Sequence, residues 1–168
     1  TLGLSDGTAS DSVTLSANEL EVNGVGIDTT GMSTDSTKGE TETSAWAVAE
    51  AINSNDSLTD VSAEASGVSE EMVNASVTGS ATSYTLEING ETAISGYDMS
   101  SGGDGDLKVD ELVSKINNIS ETTGVTAEDD GGNLVLNSDG GRNIQVKETS
   151  GGGSTDQALT TGSIASAS

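Results

Sequence analysis

Cysteine, histidine, proline and phenylalanine are all absent from this 168-residue chain. Without cysteine there is no disulfide framework and no thiolate metal site. Without histidine as well, Ser-His-Asp and Cys-His catalysis are excluded within the chain. The aromatic residues are Trp46, Tyr84 and Tyr97 alone. That is thin material for a paired-carboxylate glycosidase cleft, so the acidic residues read as a solvated surface and the chain as a non-enzyme. Basic residues are scarce too: 5 Lys and Arg stand against 28 Asp and Glu, for a net charge of -23. Such a surface cannot neutralise a phosphate backbone, which excludes nucleic-acid partners, and it is repelled by anionic membranes. No run approaches the ~18 apolar residues of a membrane helix. No basic-then-apolar signal opens the chain, and Thr1 in place of Met gives it the look of an excised or processed segment. Lacking both disulfides and prolines would spare a chain exported unfolded the slow steps of refolding outside.

Large apolar residues are few. Leu, Ile and Val number 32, which with this charge borders on compositions that stay disordered. What is present argues for folding, because the chain repeats itself. Leu20-Glu21-Val22-Asn23-Gly24 returns as Leu86-Glu87-Ile88-Asn89-Gly90. Ala51-Ile52-Asn53 returns as Lys115-Ile116-Asn117, and Val61-Ser62-Ala63-Glu64 as Val125-Thr126-Ala127-Glu128. Three matches in one order at nearly constant offset mean two copies of one folding unit.

Each copy has the same grammar. Alternating runs flank Asn-Gly, the strongest short hairpin signal, since a type I′ turn needs positive φ at both central residues. A polar connection follows, over 28–42 and 95–106, the second marked flexible by its glycines. A helix then begins, capped by Thr43 or Ser44 in the first copy and Asp106 in the second. Ala45, Val48, Ala49 and Ile52 make one apolar face, and Val109, Leu112, Val113 and Ile116 the other. Ile-Asn closes both helices, with Asn53 and Asn117 suited to a left-handed cap. Extended runs follow at 61–65 and 125–128, then strands at 133–136 and 143–146. The first copy offers 72–77 in the comparable place, with an irregular approach through 67–71, and a further strand is expected at 12–15. The predicted fold is α+β: two repeated small units, each an antiparallel sheet covered by one α-helix. The units are 1–80 and 81–150, with a Gly/Ser/Thr-rich linker at 151–168.

These residues resemble the flagellin hook IN motif, named for its Ile-Asn pair. Glu87-Ile88-Asn89-Gly90, Glu111 through Asn117, Gly124-Val125-Thr126-Ala127 and Arg142-Asn143-Ile144-Gln145-Val146 carry the resemblance in the second copy. In the first it rests on Glu21 to Gly24, Ala49 to Asn53 and Val61-Ser62-Ala63, and the Gly-Arg-Asn-Ile segment is missing. The resemblance implies a structural role in the bacterial flagellum: an extracellular, surface-exposed outer domain of a flagellin, with neighbouring flagellin subunits as partners. Neither end shows the sustained heptads of a polymerising core, so the expectation is an outward-facing insert. The alternatives are a fragment of a hook-associated or filament-cap protein, and an adhesin-like module binding glycans or a host surface.

No cofactor is expected. Asp104, Asp106 and Asp110 lie near glycines, but Lys108 breaks the EF-hand spacing and Leu107 that of the calcium β-rolls. Asn55, Asn74 and Asn118 head N-glycosylation sequons. In a bacterial filament these are expected to be silent, and the resemblance favours exposed Ser and Thr. Trp46 lies one step off the helix's apolar face, either packed against the first unit's irregular end or free to anchor a partner.

Overall fold

A computed structural model describes residues 14–16, 19–72, 75–100 and 102–152, together with the backbone of Thr155–Gln157. Both Asn-Gly pairs form the expected turns. Asn23 and Gly24 take φ of 50° and 82°, and Asn89 and Gly90 take 49° and 82°. They join β1 (Leu20–Val22) to β2 (Val25–Ile27), and β5 (Ser83–Ile88) to β6 (Glu91–Tyr97). Between the hairpins lie α1 (Ala45–Asn53), α2 (Asp56–Thr59), β3 (Val68–Met72) and β4 (Thr78–Gly79). After them come α3 (Val109–Asn117), α4 (Ser120–Thr123), β7 (Val125–Asp130), β8 (Asn133–Ser138), β9 (Val146–Gly151) and β10 (Thr155–Gln157).

The fold is mixed α+β with small antiparallel sheets. The sheets are β1-β2, β6-β5-β9, β3-β8-β7 and β10-β4. Helix α3 packs on β7, burying Leu112 and Ile116 completely. Leu86, Ile88, Val125, Leu134 and Leu136 from the two three-stranded sheets, with Leu107 from the segment before α3, complete this core. Burying side chains of this size contributes about 1.5–3 kcal/mol each, which is how a chain short of large apolar residues reaches a folded state. Tyr84 is the largest fully buried side chain, and its hydroxyl donates to Glu148 Oε1 at 2.6 Å. Burial, reinforced by that carboxylate, holds the phenol well above its usual range.

Several expectations need correction. Strand β3 occupies the stretch expected to be irregular and joins the second unit's sheet, pairing Val68 with Ser138 through Met72 with Leu134. Its partner is β8 because alternation there buries Val68 and Met72 in the larger core. Of the strand expected at 72–77, Val73 and Asn74 lie outside the described residues; Val77 instead bridges to Leu107. Residues 61–65 form no strand, and among the described residues no counterpart of β8 pairs with them. Helix α3 starts after Lys108, not Asp106, because Leu107 is held extended by Val77. In α1 the deepest residues are Ala47 and Ala51, while Val48 and Ile52 are half-buried. Ser95 to Tyr97 belong to β6 and not to the connection. In the strand expected at 12–15, residues 12–13 lie outside the described set; Leu15 is fastened to Thr29 by its N–H and C=O without forming a strand. Part of the expected linker, Thr155–Gln157, pairs with β4.

Candidate functional site

The Ile-Asn pairs are a structural device. Ile116 is fully buried and Ile52 half-buried. Neither asparagine is a left-handed cap: the residues that follow, Ser54 and Asn118, are right-handed. The left-handed positions are Asp60 and Gly124, one short helix later. The asparagine side chains act as rungs of a strand ladder instead. Asn117 Nδ2 donates to Ala127 O and Ala127 N donates to Asn117 Oδ1, both at 2.8 Å. Asn53 does the same with Ala63, at 2.9 and 2.8 Å. A carboxamide presents a donor and an acceptor side by side, as a peptide group does, so each one anchors the helix end to the extended run ten residues on. Asn at a helix end commonly forms a local cap, and no short-range pattern distinguishes the two roles.

The Asn-Gly asparagines have a second duty beyond the turn. Asn23 Nδ2 donates to Thr59 O at 2.7 Å, and Asn89 Nδ2 to Thr123 O at 3.1 Å. Each satisfies the last carbonyl of a four-residue helix. Asn89 is 5% exposed and goes further: its Oδ1 accepts from Gln145 N at 2.7 Å and its Nδ2 reaches Asn143 O at 3.3 Å. Gly24 and Gly90 supply the second positive φ of each turn, with open space around them.

Replacing Asn117 by Asp keeps the acceptor for Ala127 N but sets a carboxylate oxygen against Ala127 O. The N117D variant is therefore expected to lose about 1–2 kcal/mol at pH 7. The folded state then favours the protonated acid, raising its pKa above the ordinary value of about 3.9. Proton binding stabilises the native form, so the deficit should shrink as pH falls from 7 towards 4. Urea midpoints against wild type at the two pH values measure it; an unchanged difference contradicts the rung geometry.

The segment Gly141-Arg142-Asn143, present only in the second copy, fastens the two copies together. Arg142 Nε meets Glu40 Oε1 at 2.9 Å. Asn143 N donates to Gly39 O at 2.9 Å and Asn143 Nδ2 to Thr41 Oγ1 at 2.9 Å. Trp46 N donates to Gly141 O at 3.1 Å. Sequence reasoning missed this clasp, since its partners lie about a hundred residues apart; the copy-specific Gly-Arg-Asn was the available signal. Beside it a shallow groove of about 500 Å³ is lined by Trp46, Glu50, Asn53, Glu64, Asp139 and Arg142. Trp46 thus packs at the junction and also faces this open groove. Tyr97, half-buried, has Lys115 Nζ 5.9 Å from its ring centroid.

Among the described residues, no group of three or more His, Cys, Asp or Glu side chains is placed to hold a metal ion. Asp104 is instead used locally, its N–H donating to Asp98 O at 2.6 Å. No described helix is long and apolar enough to cross a membrane.

Residues 85–140 match the Flagellin hook IN motif. The match spans β5 to β8 and includes Asn89, Gly90, Ile116 and Asn117; the first copy lies outside it. No curated protein sequence matches the chain. The chain thus carries one flagellin motif, and its first copy shares the hydrogen-bond pattern of Asn23 and Asn53 with the matched one.

Proposed function

We propose that this chain is the surface-exposed outer region of a bacterial flagellin, with a structural and non-enzymatic role. The flagellin motif over 85–140 carries the proposal. The first copy, with the same asparagine bonds at Asn23 and Asn53, serves as a second and diverged unit of that type. In sequence the two units run over 1–80 and 81–150. On the filament this region shapes the exterior and contacts the outer regions of neighbouring subunits. No cofactor enters this role.

Its physical character is acidity. Of the cations, Arg142, Lys147 and Lys38 lie against Glu40, Glu87 and Asp35, leaving a large excess of carboxylates. Like-charged units around a filament repel, and salt screens that repulsion. The melting midpoint is expected to rise by roughly 5 °C between low salt and seawater-like salt, with outer-region association rising in parallel. A midpoint indifferent to salt contradicts the electrostatic part.

Immunogold labelling of intact flagella with antibodies against the chain tests the location. Label along the filament exterior supports the proposal. Label confined to the hook junction or the tip replaces it with a hook-associated or cap protein. Saturable binding to a glycan array without flagellar label favours an adhesin module.

A further inference from the structure

The two hairpins differ in what lies beside them. Strand β5 has β6 on one edge and β9 on the other, with Ile88 opposite Val146 and Glu87 opposite Lys147. Just past the strand, Asn89 N donates to Gln145 O at 2.8 Å and Gln145 N to Asn89 Oδ1 at 2.7 Å. Lys147 Nζ lies 2.7 Å from Glu87 Oε2. Strand β1 has only β2, with Val22 opposite Val25 and Leu20 opposite Ile27. Across a two-residue turn the flanking residues form the hydrogen-bonded pair, so the Glu21 N–H and C=O point outward. Among the described residues nothing pairs with that edge. Among the described residues, nothing bonds the Asn23 N–H or Oδ1, equivalent to the groups that hold Gln145 in the other copy.

Side-chain burial follows the same asymmetry. Val61 is 38% exposed, whereas its equivalent Val125 is fully buried. Leu20, Val22, Val48 and Ile52 are half-buried, whereas Leu86, Ile88, Leu112 and Ile116 are sealed. Among the described residues, the first copy therefore has an open strand edge beside a row of incompletely covered apolar groups.

The geometry points to the outer edge of β1 as a docking site for an extended polypeptide strand from a partner, added antiparallel and patterned apolar–polar–apolar–Lys. The second copy supplies the pattern in Ile144-Gln145-Val146-Lys147, where Val146 and Lys147 pair with β5 and Gln145 is held by Asn89. The main chain would pair with Glu21 and Asn23, the apolar residues would cover the exposed row, and the lysine would meet Glu21 as Lys147 meets Glu87. A second copy of this chain is a poor occupant. Its one segment of this pattern already lies on its own β5, and a net charge of -23 opposes self-association. The occupant is thus a strand of another sequence, recognised by main-chain pairing and a basic residue.

The probe is a capped synthetic peptide of residues 141–150, titrated into the isotopically labelled 168-residue chain and followed by amide NMR. The expected result is saturable shifts at Glu21, Val22 and Asn23, with a Kd of about 1 mM or tighter. Amides of Glu87 and Asn89 should stay in place, because their edge is filled in cis. Glu21→Lys, an exposed change that spares the ladder to β2, should weaken the peptide about fivefold, and a Lys147→Glu peptide should recover the loss. Three outcomes overturn the inference. The first is no response at β1 with several millimolar peptide. The second is a response centred on β5. The third is slow exchange of the Glu21 and Asn23 amides in the free chain, which would mean that the edge is already covered.

Discussion

Asn89→Ala should destabilise the chain by about 4 kcal/mol, and Asn23→Ala, the same change one repeat earlier, by only about 1–2 kcal/mol. Both positions have φ near 50°, so alanine suffers a similar left-handed penalty at each, on the order of 1 kcal/mol. Both lose one bond to the last carbonyl of a short helix. Asn89, itself 5% exposed, alone also leaves the partly buried Gln145 N and Asn143 O without its carboxamide. Stranding buried polar groups costs about 1–3 kcal/mol each. Urea unfolding with unchanged m-value measures both variants. Asn89→Gly separates the contributions: glycine accepts the backbone angle and restores no side-chain bond. Full recovery in that variant would leave the hydrogen-bond account without support.

Gly141→Ala should cost about 3 kcal/mol or more and loosen the junction between the copies. Gly141 has φ +71°, and a methyl group there would stand 2.5 Å from Ala65 Cβ, 3.0 Å from Ala45 Cβ and 3.1 Å from Trp46 N. Two of those neighbours, Ala45 and Trp46, belong to α1, and Trp46 N donates to the Gly141 carbonyl. Relief therefore requires both Ala65 and α1 to move away, and moving α1 breaks the Trp46 bond. The control is Gly131→Ala, at φ +65° with nothing within reach of the new methyl; it should cost about 1 kcal/mol from backbone strain alone. Unfolding midpoints compare the two, and Trp46 emission reports whether the junction opens. Equal losses at both sites would mean that the close approach at Gly141 carries no energy.

Features set by neighbouring residues were legible in the chain. Asn-Gly at 23–24 and 89–90 specifies its own turn, because few other pairs tolerate two positive φ values. The two helices followed from apolar spacing, and Ser44 caps the first by accepting from Ala47 N at 3.2 Å. Features set by distant partners were not legible. Asp106 had the better capping side chain, yet Lys108 precedes α3, because Leu107 answers to Val77 thirty residues back. Glu111 Oε2 then compensates, accepting from Lys108 N at 3.2 Å. Asn53 and Asn117 were placed correctly at helix ends, but their bonds to Ala63 and Ala127 depend on the path of the later chain. The Val48 and Leu112 faces read alike in sequence. They diverge in burial because α3 packs on β7 and β8, which have no equivalents in the sheet of the first copy among the described residues.

The crossing of β3 bears on how such a region can be exchanged between genes. A duplicated array of self-contained units can gain, lose or trade a copy at any linker. Here β3, encoded with the first copy, lies against β8 of the second in a five-residue ladder. A recombination breakpoint near residue 80 would deliver a second copy whose β8 has lost a neighbour and whose Leu134 and Leu136 have lost cover. A breakpoint ahead of Val68 would move β3 together with its sheet and leave the first copy's hairpin and α1 behind. The transferable cassette is therefore offset from the repeat: its inherited edge lies before β3, not at the boundary that the repeated words of the sequence suggest.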